Sequence, residues 1–170
     1  TYEFYLESDA QSVVDKFIEN YNSKITDEMK QRAKTLGYTM DQMMTLASVI
    51  QKECDADIDE CANVSSVFHN RLKDPASFPK LESDVTTFYI SQNLKDVIGY
   101  QDGVALENQN GEVKKYMELY STYYRSGLPV GPICNPGLKA INAALHPAET
   151  NYVFFLTDES GEHFYYASTI

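Results

Sequence analysis

Eleven consecutive residues, Gly127-Leu128-Pro129-Val130-Gly131-Pro132-Ile133-Cys134-Asn135-Pro136-Gly137, constrain the fold of this chain more than any other feature. They contain three of its six prolines and three of its eight glycines. Proline fixes φ and lacks an amide donor, and glycine turns where a side chain would clash. The segment is therefore neither helix nor interior strand. It reads as a stiff loop with little entropy to lose, suited to lining a groove or to a rigid surface connection. Its end is legible too. Asn135 is a good N-cap and Pro136 suits a first helical position. Leu138, Ile141, Ala144 and Leu145 then recur at helical spacing until Pro147 stops the helix.

Before this loop the pattern is helical. Val13, Val14, Phe17, Ile18 and Tyr21 mark an amphipathic helix over about 10–22, and a second spans about 27–36 and ends at Gly37. A third opens with the capping-box pattern Thr39-Met40-Asp41-Gln42 and runs to about Cys54. An acidic link, Asp55–Glu60, leads to a fourth with Ala62, Val64, Val67, Phe68 and Leu72 as apolar positions, ending before Pro75. Ser83 or Asp84 caps a short fifth through about Gln92. Residues 93–119, rich in charge and holding Gly99, Gly103 and Gly111, read as a long surface excursion. After the loop, Tyr152–Leu156 and His163–Ala167 flank Asp158-Glu159-Ser160-Gly161 as a β-hairpin. The expected class is α+β: one mainly helical domain over residues 1–170 with a small antiparallel sheet near its C-terminal end.

A net charge of −11 argues against a nucleic-acid partner, which needs a basic face, and against adsorption to an anionic membrane. No run of about 18 apolar residues is present to span a bilayer. Thirteen tyrosines with few cations suit stacking on sugar rings, although amphipathic packing explains tyrosines equally well. Cys54, Cys61 and Cys134 have no metal-ligand spacing. Cys54 and Cys61 could pair across a tight helical corner, but free, partly buried thiols are the expectation.

The strongest candidate for chemistry is Glu53. Leu46, Val49 and Ile50 share one face of the third helix, and Glu53 projects close to it. A carboxyl in a last helical turn meets the negative end of the helix dipole, and apolar neighbours would desolvate it. Both effects favour an acid that holds its proton near neutral pH and can donate it. A solvated glutamate at a helix end is the competing reading. Asp84 at a helix start is explained by capping alone, Glu82 with Asp84 by a solvated pair, and Arg71 by an ion pair with an acid such as Asp74.

Several blocks together carry a resemblance: Leu46–Glu53, Val67–Leu72 (including His69-Asn70-Arg71), Leu81–Thr86, Tyr120–Tyr123, the Gly127–Gly137 loop, and Tyr152–Phe155 followed by Gly161 and His163. In this order they resemble the YceG-like endolytic murein transglycosylases, over nearly the whole chain. The resemblance implies cleavage of the β-1,4 bond between N-acetylmuramic acid and N-acetylglucosamine inside peptidoglycan strands, without water. The catalytic glutamate of the family falls on Glu53, acting first as acid and then as base. Groove residues would be Asn70, Glu82, Ser83, Asp84, Thr86, Tyr123 and Asn135, with no metal and no cofactor. Glu82 stands where glutamine is expected, and its charge would push the pKa of Glu53 up. Ser121 and Val130 stand for an expected asparagine and proline.

The resemblance further implies a protein anchored upstream of Thr1 to the cytoplasmic membrane, with a wall-binding subdomain before the catalytic part. It would act on the extracytoplasmic face, on glycan strands and alongside peptidoglycan synthases. Two alternatives stay open: a hydrolytic muramidase in which Glu53 is the acid and Asp84 activates water, and a non-catalytic glycan-binding scaffold.

Overall fold

The helical periodicities of the sequence are realised in order. The computed structural model describes residues 2–159 and 163–169. The chain forms two compact units, Thr1–Met40 and Asp41–Ile170. In the first, α1 (Ala10–Lys24) starts where the Asp9 carboxylate accepts a 2.8 Å hydrogen bond from the Ser12 amide. The Phe17 ring meets Tyr2 and Phe4 with centroids 4.8 and 5.8 Å apart. Thr26 caps α2 (Asp27–Thr35), whose first turn is acidic and last turn basic, matching the helix dipole. Gly37, at φ 86°, supplies the left-handed residue after it.

In the second unit, α3 (Met40–Glu53) buries Met43, Leu46, Ala47, Val49 and Ile50. It is followed by α4 (Ile58–Lys73), which packs on α8 (Leu138–Leu145). Strands β1 (Phe154–Thr157) and β2 (Phe164–Ala167) pair antiparallel, Phe154 opposite Ala167 and Thr157 opposite Phe164. β1 lies on α4, with the Phe68 and Phe155 rings edge to face at 5.9 Å. The α+β class, mainly helical with a small C-terminal sheet, is as expected. Of the hairpin connection, Ser160 and Gly161 lie outside the described residues.

Five expectations need correction. The acidic link is half helix: α4 begins at Ile58 with Asp57 as cap, its carboxylate accepting from the Glu60 amide at 2.9 Å. Asp59 and Glu60 sit in the first turn, where the dipole favours anions. Cys54 and Cys61 form a disulfide, with Cα atoms 5.6 Å apart, and only Cys134 is a free thiol. Residues 93–119 are no excursion. α5 (Asp84–Phe88) continues as a π-helical turn, Tyr89–Asn93, then α6 (Lys95–Ile98), a 3₁₀ turn at Leu106–Asn108 and α7 (Gly111–Tyr120). Ile90, Ile98, Val113 and Met117 make a small core there, edged by Tyr89, Tyr116 and Tyr120.

The cap of α8 is Gly137, not Asn135. The Gly137 amide is taken by Gln51 Oε1 at 3.0 Å, so the chain enters the helix two residues later than the Asn-Pro pair suggests. Finally, the Gly127–Gly137 loop is an anchor for α3. The Ile133 amide donates to Ser48 Oγ at 2.9 Å, and the Cys134 sulfur lies 3.4 Å from Ser48 O. Of the three glycines only Gly127 has a positive φ, 69°.

Met117 decides between a packed and a solvated 93–119 segment. Met117→Ala should cost about 2–5 kcal/mol in denaturant unfolding, as for a core residue. A loss within about 0.5 kcal/mol would be the mark of a surface position.

Candidate active site

Glu53 is the last residue of α3, half-buried where two depressions meet. The first, about 330 Å³, is walled by Val67, Phe68 and Arg71 of α4, by Leu81–Asp84, by Tyr123, and by the β1 residues Phe154–Thr157. The second, about 510 Å³, is lined by Gln51, Lys52, Asp55, Ala56, Thr157 and Phe164. Glu53 and Thr157 belong to both. Glu53 thus borders both depressions rather than one alone.

The Ser83 hydroxyl donates to Glu53 Oε1 at 2.5 Å. Among the described residues no donor is bonded to Oε2. Ser83 is held from beneath by buried hydroxyls. Its amide donates to Thr122 Oγ1 (2.9 Å), and its carbonyl accepts from Thr86 Oγ1 (2.6 Å). The Thr122 amide in turn donates to Thr86 Oγ1 at 3.0 Å. The preceding residue, Glu82, sits at φ 56°, a left-handed conformation that costs a residue with a Cβ about 1–2 kcal/mol. Arg71 offsets that cost. Its Nη1 donates to Leu81 O and Glu82 Oε2, both at 3.1 Å, and its Nε to Val153 O at 2.7 Å. The Phe78 and Phe154 rings flank the guanidinium at 5.4 and 5.0 Å.

Burial pushes the Glu53 carboxyl above its ordinary value of 4.5; the Ser83 hydrogen bond opposes this and the Asp84 charge reinforces it. The expected culprit was Glu82, but its charge is taken up by Arg71, and Asp84 is the anion that matters. Burial, donation to Asp84 and the charges of Asp84, Glu82 and Glu53 push the Tyr123 phenol up to about 12, so it stays a neutral donor.

Five expected site residues therefore converge: Glu53, Glu82, Ser83, Asp84 and Tyr123. Three do not line the depressions at Glu53. Asn70 spends its amide on the carbonyls of Thr150 (3.0 Å) and Tyr152 (2.9 Å), fixing the approach to β1. Thr86 is fully buried in the hydroxyl network. Asn135 is exposed on the loop before α8, and no residue of that loop lines either depression. Arg71 pairs with Glu82 rather than Asp74. Thr122 and Arg71 are the supports that single residue types did not disclose, since a threonine and an arginine carry no local signal of what they will hold.

With this geometry in hand, comparison with known proteins is direct. The YceG-like family matches residues 1–170, and the chain belongs to that family. The endolytic murein transglycosylase of Bacillus subtilis is 33% identical over 152 residues, covering 89% of this chain and 38% of that protein. That of Streptococcus pneumoniae is 26% identical over 157 residues, covering 92% and 25%. A 2.6 Å crystal structure of a yceG-like protein from Listeria monocytogenes superposes with TM-score 0.71 at 25% identity, over 99% of this chain and 49% of that one. The chain spans about a quarter to two-fifths of the curated relatives it matches.

The raised pKa has a signed consequence. Between pH 4.5 and the higher folded value, the folded state keeps a proton that the unfolded chain has released. Stability from this group is full below that window and is lost as pH rises through it. Glu53→Gln removes the loss. Its melting temperature relative to wild type should climb with pH across the window and then level off. A difference independent of pH would mean a solvated carboxyl.

Proposed function

We propose that this chain carries the active groove of an endolytic murein transglycosylase, cutting the N-acetylmuramic acid–N-acetylglucosamine β-1,4 bond within peptidoglycan strands. The observation that carries this reading is one carboxyl, raised in pKa by burial, that borders two depressions, which gives a polymer room on more than one side of the bond being cut. Relatives that bear this activity by name support it.

In this reading protonated Glu53 gives its proton to the glycosidic oxygen as the bond to C1 breaks, and N-acetylglucosamine leaves as an alcohol. The carboxylate then takes the proton of the muramyl C6 hydroxyl, whose oxygen closes on C1 to a 1,6-anhydro end. The proton count balances, Glu53 ends as it began, and no water enters. Because the nucleophile is the substrate's own, one carboxylate suffices where most glycosidases need two. Ser83 holds one carboxyl oxygen, and the Asp84 charge helps keep the other protonated. Asp84, with Tyr123 donating to it, would meet the sugar as a neutral–anionic hydrogen-bonding pair. Action outside the cytoplasmic membrane, on a protein anchored there, agrees with the Cys54–Cys61 disulfide, since such bonds persist in oxidising surroundings.

Digestion of purified strands followed by mass spectrometry tests the reading. Wild type should give anhydro ends, one water lighter than hydrolysis products. Products carrying that water would instead make the protein a muramidase with Asp84 as its base. Glu53→Gln should lose on the order of 10²–10⁴ in rate while keeping its circular dichroism. Full activity in that variant would remove Glu53 from the chemistry.

Asp84→Asn tests the electrostatics. The acid must be protonated, so the basic limb of the kcat/KM profile follows Glu53. Losing the Asp84 charge should move that limb to lower pH, whereas Glu82→Gln should leave it in place. The reverse pattern would restore Glu82 as the controlling charge.

A further inference from the structure

We propose that the Cys54–Cys61 disulfide is a clamp that positions Glu53, holding the end of α3 and the link after it in the geometry where one carboxyl serves both depressions. The proposal rests on the reading of Glu53 as the acid. Cys54 is the very next residue, and Cys61 lies in the first turns of α4, the helix that supplies Val67, Phe68 and Arg71 to the groove wall. Both cysteines are 1% exposed. The bridge closes a ring that contains Asp55 and Ala56, which line the second depression.

The last turn of a helix frays unless something holds it. Here the turn ends in Glu53 and runs through Cys54, Asp55 and Ala56 to Asp57, the cap of α4, a link with no helix or strand ladder of its own. Upstream, α3 is fastened through Ser48 and Gln51 to the Gly127–Gly137 loop. Beyond Gln51, Ser83 holds one Glu53 oxygen and the Cys54 amide continues the helix to Ile50 O at 2.9 Å, while the link itself is held by the bridge and by Lys139 Nζ, which donates to Ala56 O at 2.7 Å and Asp55 O at 3.3 Å. Chain-entropy stabilisation is least for short rings, so a bridge across seven residues acts mainly on local geometry. The sulfurs themselves take no part in the reaction.

The test uses the full chain as Cys134→Ala, so that only one pairing can form. A dithiol passes two electrons and two protons to the bridge, leaving Cys54 and Cys61 as thiols and becoming a cyclic disulfide itself. The oxidised and reduced forms are compared for kcat and KM on purified glycan strands, and for titration of the Glu53 carboxyl by carbon-13 NMR. Cys54→Ser/Cys61→Ser serves as the permanently open form. The groups facing Glu53 are Ser83, Asp84, Tyr123, Glu82 and Arg71 on one side and Lys52 and Asp55 on the other; all are unchanged between forms.

On opening, kcat should fall about tenfold to a hundredfold, the loss expected for a misplacement near 1 Å, with KM little changed. The Glu53 titration and the basic limb of the rate profile should move down toward 4.5, and reoxidation should restore both. Equal kcat and equal titration in the two forms overturn the clamp. So does global unfolding on reduction at 25 °C, which would make the bridge a general staple. If the oxidised chain cleaves no strands yet its Glu53 titration drops on reduction, the clamp stands and the transglycosylase reading fails.

Discussion

Everything at the groove depends on where Ser83 is held. Its hydroxyl fixes one oxygen of Glu53, and that hydroxyl is only as steady as the buried network of Thr86 and Thr122 beneath it. Hydroxyls suit the task. Each donates once and accepts twice, so three of them close a network with no charge to desolvate. The charged support, Arg71, is placed one layer out. There two aromatic faces and four acceptors compensate its burial, and its anionic partner among the described residues is the half-exposed Glu82.

Glu53, the acid of the proposed reaction, is shaped by competing influences. Burial and Asp84 favour its protonated form; Ser83 favours the ionised one. A carboxyl whose pKa is raised by burial and a neighbouring charge, yet opposed by a donated hydrogen bond, has the competing influences that an acid–base exchange draws on. Its placement at a helix C-terminus adds a further push toward protonation. The neighbouring phenol of Tyr123 stays neutral and adds no further negative charge to a depression that already holds three carboxyls.

The helices were legible because amphipathic spacing and caps are local signals. Val49, Ile50 and Glu53 could be assigned to one face from their numbers alone. What could not be read were features made by contacts distant in sequence. The 93–119 segment looked polar because it gives only Ile98, Val113 and Met117 to a core completed by Ile90 before it, too few and too scattered to stand out against the charge between them. Asp57, Asp59 and Glu60 looked like linker because acids favour both solvent and helix starts. Asn70 and Thr86 were expected to face sugar, yet each is spent on backbone or hydroxyls far along the chain. A polar side chain near a site has the same letters whether it touches the ligand or braces the residue that does. Asn135 misled for another reason: an Asn-Pro pair is good cap chemistry, but the free amide of Gly137 found Gln51 first.

The fastening of α3 by residues 85 and 86 positions downstream also sets an order of assembly. Glu53 emerges in the first third of the chain, its Ser83 partner 30 residues later, and the β1 and β2 residues that complete both depressions last. Non-local closures of this kind form late because the loop entropy must be overcome first. A chain still being made therefore carries Glu53 on an unanchored helix beside unfinished depressions. On the proposed reading, an activity that cuts a structural polymer would come into being only with the completed fold, so the topology itself would guard its timing.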